Sequence, residues 1–260
     1  MEINKIYNED CIKTMKNRID NESIDAVLTS PPYNIIRPSL KDRGYDEYKD
    51  GMSNDEYSAW IVGLFIEFDR ILKKDGIVIW NMSYGCENTE CMNLTIADIV
   101  RKTNFTIADI IIWKKQSATP NNVSKNKLTR ICEFVYVFCR KSEFMTFNMN
   151  KEIVGYRNDT NQTIYKNYFN FIECPNNDES NNLNKATFSS NFVQKLLNLY
   201  CKKGWLIYDC FMGTGTTALG CHRLRMNYIG SEISKKQCEY AEERIKNEKM
   251  QTSIFDFIND

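Results

Sequence analysis

Apolar positions along the chain fall into short dense runs, separated by stretches with helical spacing. Runs rich in Ile, Val, Leu and Trp occupy residues 24–29, 77–82, 107–113, 131–139, 206–210 and 228–231. They are too continuous for strands with one solvated face, so they predict strands buried on both sides. Between the first two lies "SNDEYSAWIVGLFIEFDRILKKDG". There Ser53 and Glu56 form a capping-box pattern, and Gly76 after a Lys-Lys pair predicts the helix stop. Further helices are expected over 88–102, 192–201, 216–224 and 235–249. Strand–helix alternation predicts an α/β fold with a mostly parallel sheet and helices on both faces.

The stretch from about 142 to 184 breaks this alternation. It is rich in Asn, as in "NDTNQTIYKNYFNF" and "PNNDESNNLN", yet holds Tyr156, Tyr165, Tyr168, Phe169 and Phe171. A floppy linker does not need so many rings. It is expected as a partly ordered insertion within a single domain spanning 1–260.

Composition narrows the class. The 260 residues are 42% hydrophobic and 26% charged, which suits a soluble globular protein with a sizeable core. No run of about 18 apolar residues occurs, and the polar start "MEINKIYNED" lacks the pattern of a secretory signal. The cytoplasm is the expected compartment, with no membrane partner. The ten cysteines contain no C-x-x-C pair, and His222 is the only histidine, so no metal site is expected. Most are read as reduced core thiols.

Formal net charge is zero, so a nucleic-acid site has to be local. One candidate is "KKQSATPNNVSKNKLTR" from Lys114 to Arg130, with five basic residues and no acid. A solvated loop is the competing reading.

Two stretches carry chemistry. In "DAVLTSPPYNIIRP" an apolar strand runs into Pro31-Pro32 and Tyr33. Neither proline has an N–H, so the ladder stops with rigid backbone and free carbonyls beside an aromatic ring. That arrangement suits a flat ligand bearing an amino group. In "WLIYDCFMGTGTTALGCHRL" a strand ends at Asp209, a Gly-x-Gly turn follows, and Thr216-Thr217 opens a helix. Glycines there let a ligand approach backbone at a positive helix end. Glu232 in "YIGSEIS" closes the next strand, at a separation suited to a ribose diol. Alone, the Gly-x-Gly is also compatible with a tight strand–helix turn, since position 218 is Ala.

Together, "TSPPYN" followed late in the chain by "DCFMGTGTT" resembles the β-class amino-group DNA methyltransferases. The resemblance covers nearly the whole chain, through "NEDCI", "YDEYKDGMSNDEY", "RILKKDGIVIWNMSYG" and "NKATFSSNFVQKLL". It implies a Rossmann-like fold that takes S-adenosylmethionine (AdoMet) as cofactor. Carried over by position, it implies a cofactor site made of Asp10, Cys11, Thr29, Lys185, Ala186, Thr187, Phe188, Asp209, Phe211, Gly213, Gly215, Thr216, Thr217 and Glu232. Among these, Asp10 would meet the adenine amino group and Glu232 the ribose hydroxyls. The chain departs from many family members at Asn184, where they carry histidine.

The resemblance also implies catalysis by Ser30, Pro31, Pro32 and Tyr33. The methyl acceptor would be an exocyclic amino group on a base swung out of duplex DNA. The Ser30 hydroxyl and Pro31 carbonyl would accept its two hydrogens, and Tyr33 would stack on the ring. Cytosine-N4 relatives mostly carry Ser at this place and adenine-N6 relatives mostly Asp, so cytosine-N4 is expected, with adenine-N6 as the alternative. Lys125, Lys127 and Arg130 would contact phosphates, and the 142–184 insertion would read the target. Partners compatible with the family are double-stranded DNA, a cognate restriction endonuclease and a second copy of the chain. A DNA-binding protein that keeps the cofactor pocket without catalysis is the reading from another class. The intact Ser30-Pro31-Pro32-Tyr33 argues against it.

Overall fold

Residues 1–34, 51–83, 88–118, 120–122, 125–126, 128–178 and 187–259 are described by a computed structural model. Three of the expected site residues, Lys127, Lys185 and Ala186, lie outside the described residues, as do Cys86 and Asn184.

The main sheet has eight strands. In chain order they are β1 (Lys5–Tyr7), β2 (Ile24–Thr29), β3 (Leu72–Met82), β4 (Phe105–Lys115), β5 (Cys132–Arg140), β8 (Phe171–Cys174), β9 (Leu206–Asp209) and β10 (Asn227–Ser231). Their spatial order is β1-β10-β9-β2-β3-β5-β4-β8, and β5 alone runs against its neighbours. Among the described residues the α-helices are α1 (Cys11–Arg18), α2 (Asn54–Ile71), α3 (Thr89–Lys102), α4 (Ser190–Tyr200), α5 (Thr216–Arg223) and α6 (Lys235–Asn259). One apolar core joins the sheet to α1, α2 and α3, and a second joins it to α4, α5 and α6. The sheet is therefore covered on both faces, which is why its strands read as unbroken apolar runs.

Helix α2 starts where expected. Ser53 Oγ accepts from the Glu56 N–H at 3.3 Å, and Glu56 Oε2 accepts from the Ser53 N–H at 2.9 Å. Its buried face, Tyr57, Ile61, Leu64, Phe65, Phe68 and Ile71, follows helical spacing. Phe65 meets the rings of Phe68, Trp80, Phe105 and Phe138 at 5.0–5.5 Å. Each such side chain contributes about 1.5–3 kcal/mol by burial, more than the roughly 1 kcal/mol of the cap.

The end of α2 differs from the reading that Gly76 stops it. The helix ends at Ile71, where the Arg70 and Ile71 carbonyls accept from the Glu22 and Ser23 N–H groups at 3.0 and 2.8 Å, and Arg140 clamps the carbonyls around them. The guanidinium donates to the Asp69, Leu72 and Lys73 carbonyls at 2.8 Å each and pairs with the Asp69 carboxylate at 2.6 Å. Gly76 instead closes a bulge. Between Ile24↔Leu72 and Ala26↔Ile77 the ladder slips, and a Cβ on Gly76 would lie 2.9 Å from the Lys73 carbonyl.

Strands β6 (Ile153–Tyr156) and β7 (Thr163–Tyr165) form a separate antiparallel ribbon. Strand β8 pairs in parallel with β4, from Ile112↔Phe171 to Lys115↔Cys174. The aromatic stretch after residue 142 thus includes an edge strand of the main sheet.

Connections from β2 run outward through α2 to β3, and those from β9 run the other way through α5 to β10. The sheet reverses its winding between β2 and β9, and ligands of open α/β sheets bind beyond the carboxyl ends of the strands at such a point. Thr29 and Asp209, the last residues of those two strands, are joined by a 2.7 Å hydrogen bond.

Candidate active site

The turn after β9 is built on two left-handed glycines. Gly213 has φ 53° and Gly215 has φ 82°. Gly215 also packs on α6, where a Cβ would lie 2.9 Å from the Ala241 Cβ. Behind the turn, Asp209 is buried and holds it in place. Its carboxylate accepts from the Thr29 hydroxyl at 2.7 Å, the Thr217 hydroxyl at 2.5 Å and the Phe211 N–H at 3.0 Å. Burial pushes the Asp209 carboxyl above its ordinary value, and these hydrogen bonds oppose that rise. Thr29, Asp209, Gly215 and Thr217 brace the loop from behind and do not line the cleft.

In front of the turn lies a half-open cleft with a cavity volume of about 130 Å³. Its wall includes Asp10, Cys11, Thr187, Phe188, Phe211, Gly213, Thr216 and Glu232, as well as Ser30, Pro31, Pro32 and Tyr33. The two motifs, about 180 residues apart in sequence, therefore share one cavity.

Glu232 is tethered on both oxygens. Oε2 accepts from the Gly213 N–H and Oε1 from the Ser234 N–H, each at 2.8 Å. Burial raises its carboxyl above the usual range, and these two backbone bonds pull it down. Each oxygen keeps one further acceptor site for a hydroxyl in the cleft. Asp10 caps α1 through one oxygen, accepting from the Ile12 N–H at 2.9 Å and the Lys13 N–H at 3.4 Å. Burial pushes the Cys11 thiol up to about 12, with the Asp10 charge adding to it. Cys11 is therefore a neutral wall group, not a thiolate nucleophile.

At the other end of the cleft, the Pro32 carbonyl accepts from the Tyr57 hydroxyl of α2 at 2.8 Å. Among the described residues no donor reaches the Pro31 carbonyl, which is left for a ligand. Asn34 is buried with φ 51°. Its amide donates to the Met52 carbonyl and accepts from the Gly51 and Met52 N–H groups at 2.8–3.0 Å. That ties the strand tip to the segment leading into α2.

Several wall residues gave no sequence signal. Trp60 faces inward from α2, with its ring 5.6 Å from that of Phe211. Gln237 lines the cleft from α6. Both had looked like ordinary helix positions. Thr214 lies between the glycines, and its buried hydroxyl has no partner among the described residues. Asn81 and Glu133 stand behind Ser30 and Tyr33 and are nearly fully buried. The available signal for Glu133 was a single acid inside the apolar run "ICEFVYVFC".

The basic stretch is less open than its sequence suggests. Lys114 pairs with Glu173 at 2.9 Å, and Lys115 pairs with Glu133. Lys125 is exposed and Arg130 half-buried.

An open α/β sheet thus brings a glycine turn and a Pro-Pro strand tip onto one cleft. The sequence profile of the N6/N4 DNA methylase family matches residues 24–243, and the chain belongs to that family. An orphan methyltransferase, M.BamHII of Bacillus amyloliquefaciens, is 28% identical over 90% of this chain and 92% of its own length. The type II methyltransferase M.HinfI of Haemophilus influenzae is 27% identical over 94% of this chain and 68% of its own. Among solved structures, the PvuII DNA methyltransferase (cytosine-N4-specific) superposes with a TM-score of 0.71 at 18% identity, over 94% of this chain and 90% of that one. The M1.HpyAVI–SAM complex gives 0.60 at 20% identity, over 93% and 98%.

Proposed function

We propose that the chain transfers a methyl group from AdoMet to the N4 amino group of cytosine in duplex DNA, with the base extruded into the cleft. The observation that carries this is the pair of acceptors at the end of β2, the Ser30 hydroxyl and the Pro31 carbonyl, on the same cavity as the glycine turn. Ser30 at this place favours cytosine over adenine within the family. The reaction places the enzyme in the cytoplasm, where DNA is accessible. Among the described residues no helix is long and apolar enough to cross a membrane.

The cleft fits the cofactor. Left-handed glycines leave backbone exposed, Glu232 has acceptor capacity for two hydroxyls, and the Thr214 hydroxyl lacks a partner among the described residues. When bound, AdoMet supplies an electrophilic methyl group. Gly213, Thr214 and Thr216 would hold its amino-acid part, Glu232 its ribose, and Asp10 its base. Phe211 and Trp60 form an apolar wall that excludes water.

An exocyclic amino group is a poor nucleophile because its lone pair is delocalised into the ring. Ser30 and Pro31 would each accept one of its hydrogens, favouring pyramidal nitrogen and a localised lone pair. Tyr33 would stack on the base and hold it in line. Catalysis then rests on positioning and on preorganised acceptors, with no covalent enzyme intermediate.

Mass spectrometry of nucleosides from DNA of cells expressing the chain tests the reading. N4-methylcytosine is the expected product. N6-methyladenine as the sole product overturns the base assignment and keeps the family.

Lys125, Lys127 and Arg130 would contact phosphates, and the segment after residue 142 would read the target. Replacing the three basic residues together with Ala is expected to weaken DNA binding and to lower its salt dependence, since each phosphate contact releases about one counterion. The preferred site should not change. A shifted site with an unchanged salt slope, measured by titration at several salt concentrations, would mean that these residues read bases.

A further inference from the structure

Behind the Pro-Pro tip lies a hydrogen-bonded cluster that, among the described residues, meets the cleft at Ser30 and Tyr33. The Tyr33 hydroxyl donates to Glu133 Oε2 at 3.2 Å and lies 2.9 Å from Ser30 Oγ. Asn81 Nδ2 donates one hydrogen to the same Glu133 oxygen at 2.8 Å and directs the other between the Tyr33 oxygen at 3.2 Å and Ser30 Oγ at 3.4 Å. Lys115 pairs with the other Glu133 oxygen. Glu133 is 5% exposed and does not line the cleft, so it acts through its neighbours.

We infer that Glu133 is a positioning residue that sets the direction of the Ser30 hydrogen bond, holding Ser30 as an acceptor toward the target amino group. The inference rests on the proposed methyl transfer to a base. It follows from counting hydrogens. A carboxylate only accepts, so the one Tyr33 hydroxyl hydrogen is committed to Glu133. The Tyr33 oxygen can then only accept from Ser30. The Ser30 hydrogen points at Tyr33, away from the cleft, and lone-pair density on Oγ faces it.

Asn81 reinforces this direction. Its flipped amide would set Oδ1 against the Glu133 carboxylate, so Nδ2 faces the cluster and Oδ1 is left without a partner among the described residues. Without the carboxylate, Ser30 could turn its hydrogen toward the amino nitrogen and occupy the lone pair that has to attack. The same bonds pin the Tyr33 ring through its hydroxyl and fix the plane on which the base would stack.

The test uses the full chain and its Glu133→Gln variant, because glutamine keeps the shape but can donate to Tyr33. In protein labelled with ¹³C at the tyrosine Cζ atoms, the Tyr33 resonance, assigned with Tyr33→Phe, should move in Glu133→Gln without any substrate. Single-turnover methyl transfer from labelled AdoMet to unmethylated genomic DNA should fall about ten- to a hundredfold, as for loss of a charge-assisted hydrogen bond. AdoMet affinity by calorimetry should stay within about twofold, since Glu133 does not line the cleft and shares no hydrogen bond with the glycine turn among the described residues. Glu133→Asp should recover part of the rate. In a Tyr33→Phe background the glutamine change should add little, because the link to Ser30 through that hydroxyl is already gone.

An unmoved Tyr33 resonance overturns the inference whether or not DNA is the substrate. Wild-type rates in Glu133→Gln, or a full additional loss on top of Tyr33→Phe, overturn it as well. A wild-type chain that methylates no DNA would sink the functional reading alone, and the resonance would still decide the role of Glu133. If Glu133→Gln fails to fold, Tyr33→Phe, which keeps the ring and the Lys115–Glu133 pair, should itself lose rate; full rate there counts against the relay.

Discussion

Ser30→Ala is expected to slow methyl transfer about a hundredfold while leaving AdoMet affinity nearly unchanged. Removing one preorganised hydrogen-bonding group at a reacting centre costs roughly 3 kcal/mol, and each ~1.4 kcal/mol is a factor of ten in rate. Ser30 sits at the tip of β2, while the groups assigned to the cofactor sit after β1, β9 and β10. The effect should therefore appear in the single-turnover rate and not in the heat of AdoMet binding. Tyr33→Ala should behave similarly, with about 1–3 kcal/mol for the lost stacking surface. It carries an extra penalty, because Glu133 loses a donor in a buried setting. Full activity in Tyr33→Ala would remove the basis for the mechanism.

The second large effect is expected at the glycine turn. Gly213→Val should abolish AdoMet binding in a calorimetric titration of the protein without DNA. Gly213 has φ 53°, a region in which a β-branched residue is strained, and its N–H holds Glu232 at 2.8 Å. Valine there would add a branched side chain at the cleft wall and strain the backbone whose N–H holds the carboxylate assigned to the ribose. A circular dichroism melt has to accompany the titration. Folded protein with unchanged affinity would contradict the assignment of the turn. Gly215→Ala is a harsher test of stability, because its Cβ would meet α6 at 2.9 Å.

Much of the scaffold was legible in the sequence. Strands buried on both faces leave a dense apolar signature, and residues 24–29 were read to the residue as β2. The Ser53–Glu56 cap of α2 is a local pattern whose partners are three residues apart, so it needs no tertiary information. The glycine turn and the Pro-Pro tip were legible for the same reason, since positive φ and a missing N–H are properties of single residues. Short elements without such marks were not. Strand β1 has three residues and α1 eight, too few for periodicity to stand above chance.

What only the tertiary structure decided is how distant groups are spent. The end of α2 depends on groups distant in sequence: Glu22 and Ser23 donate to the Arg70 and Ile71 carbonyls, and Arg140, about 70 residues away, donates to those of Asp69 and Leu72. Asp209 looked like a ligand-facing acid but is consumed by Thr29, Thr217 and Phe211 behind the turn. Lys115 looked like part of a basic surface but is paired with Glu133. In each case the sequence shows the charge and the fold supplies the partner, and a charge leaving water has to find one. The chain's order of motifs was enough by itself to read its family. The folding of β5 against β3 and β4 alone placed Glu133 behind Tyr33, because strand pairing brings together residues that no local pattern connects.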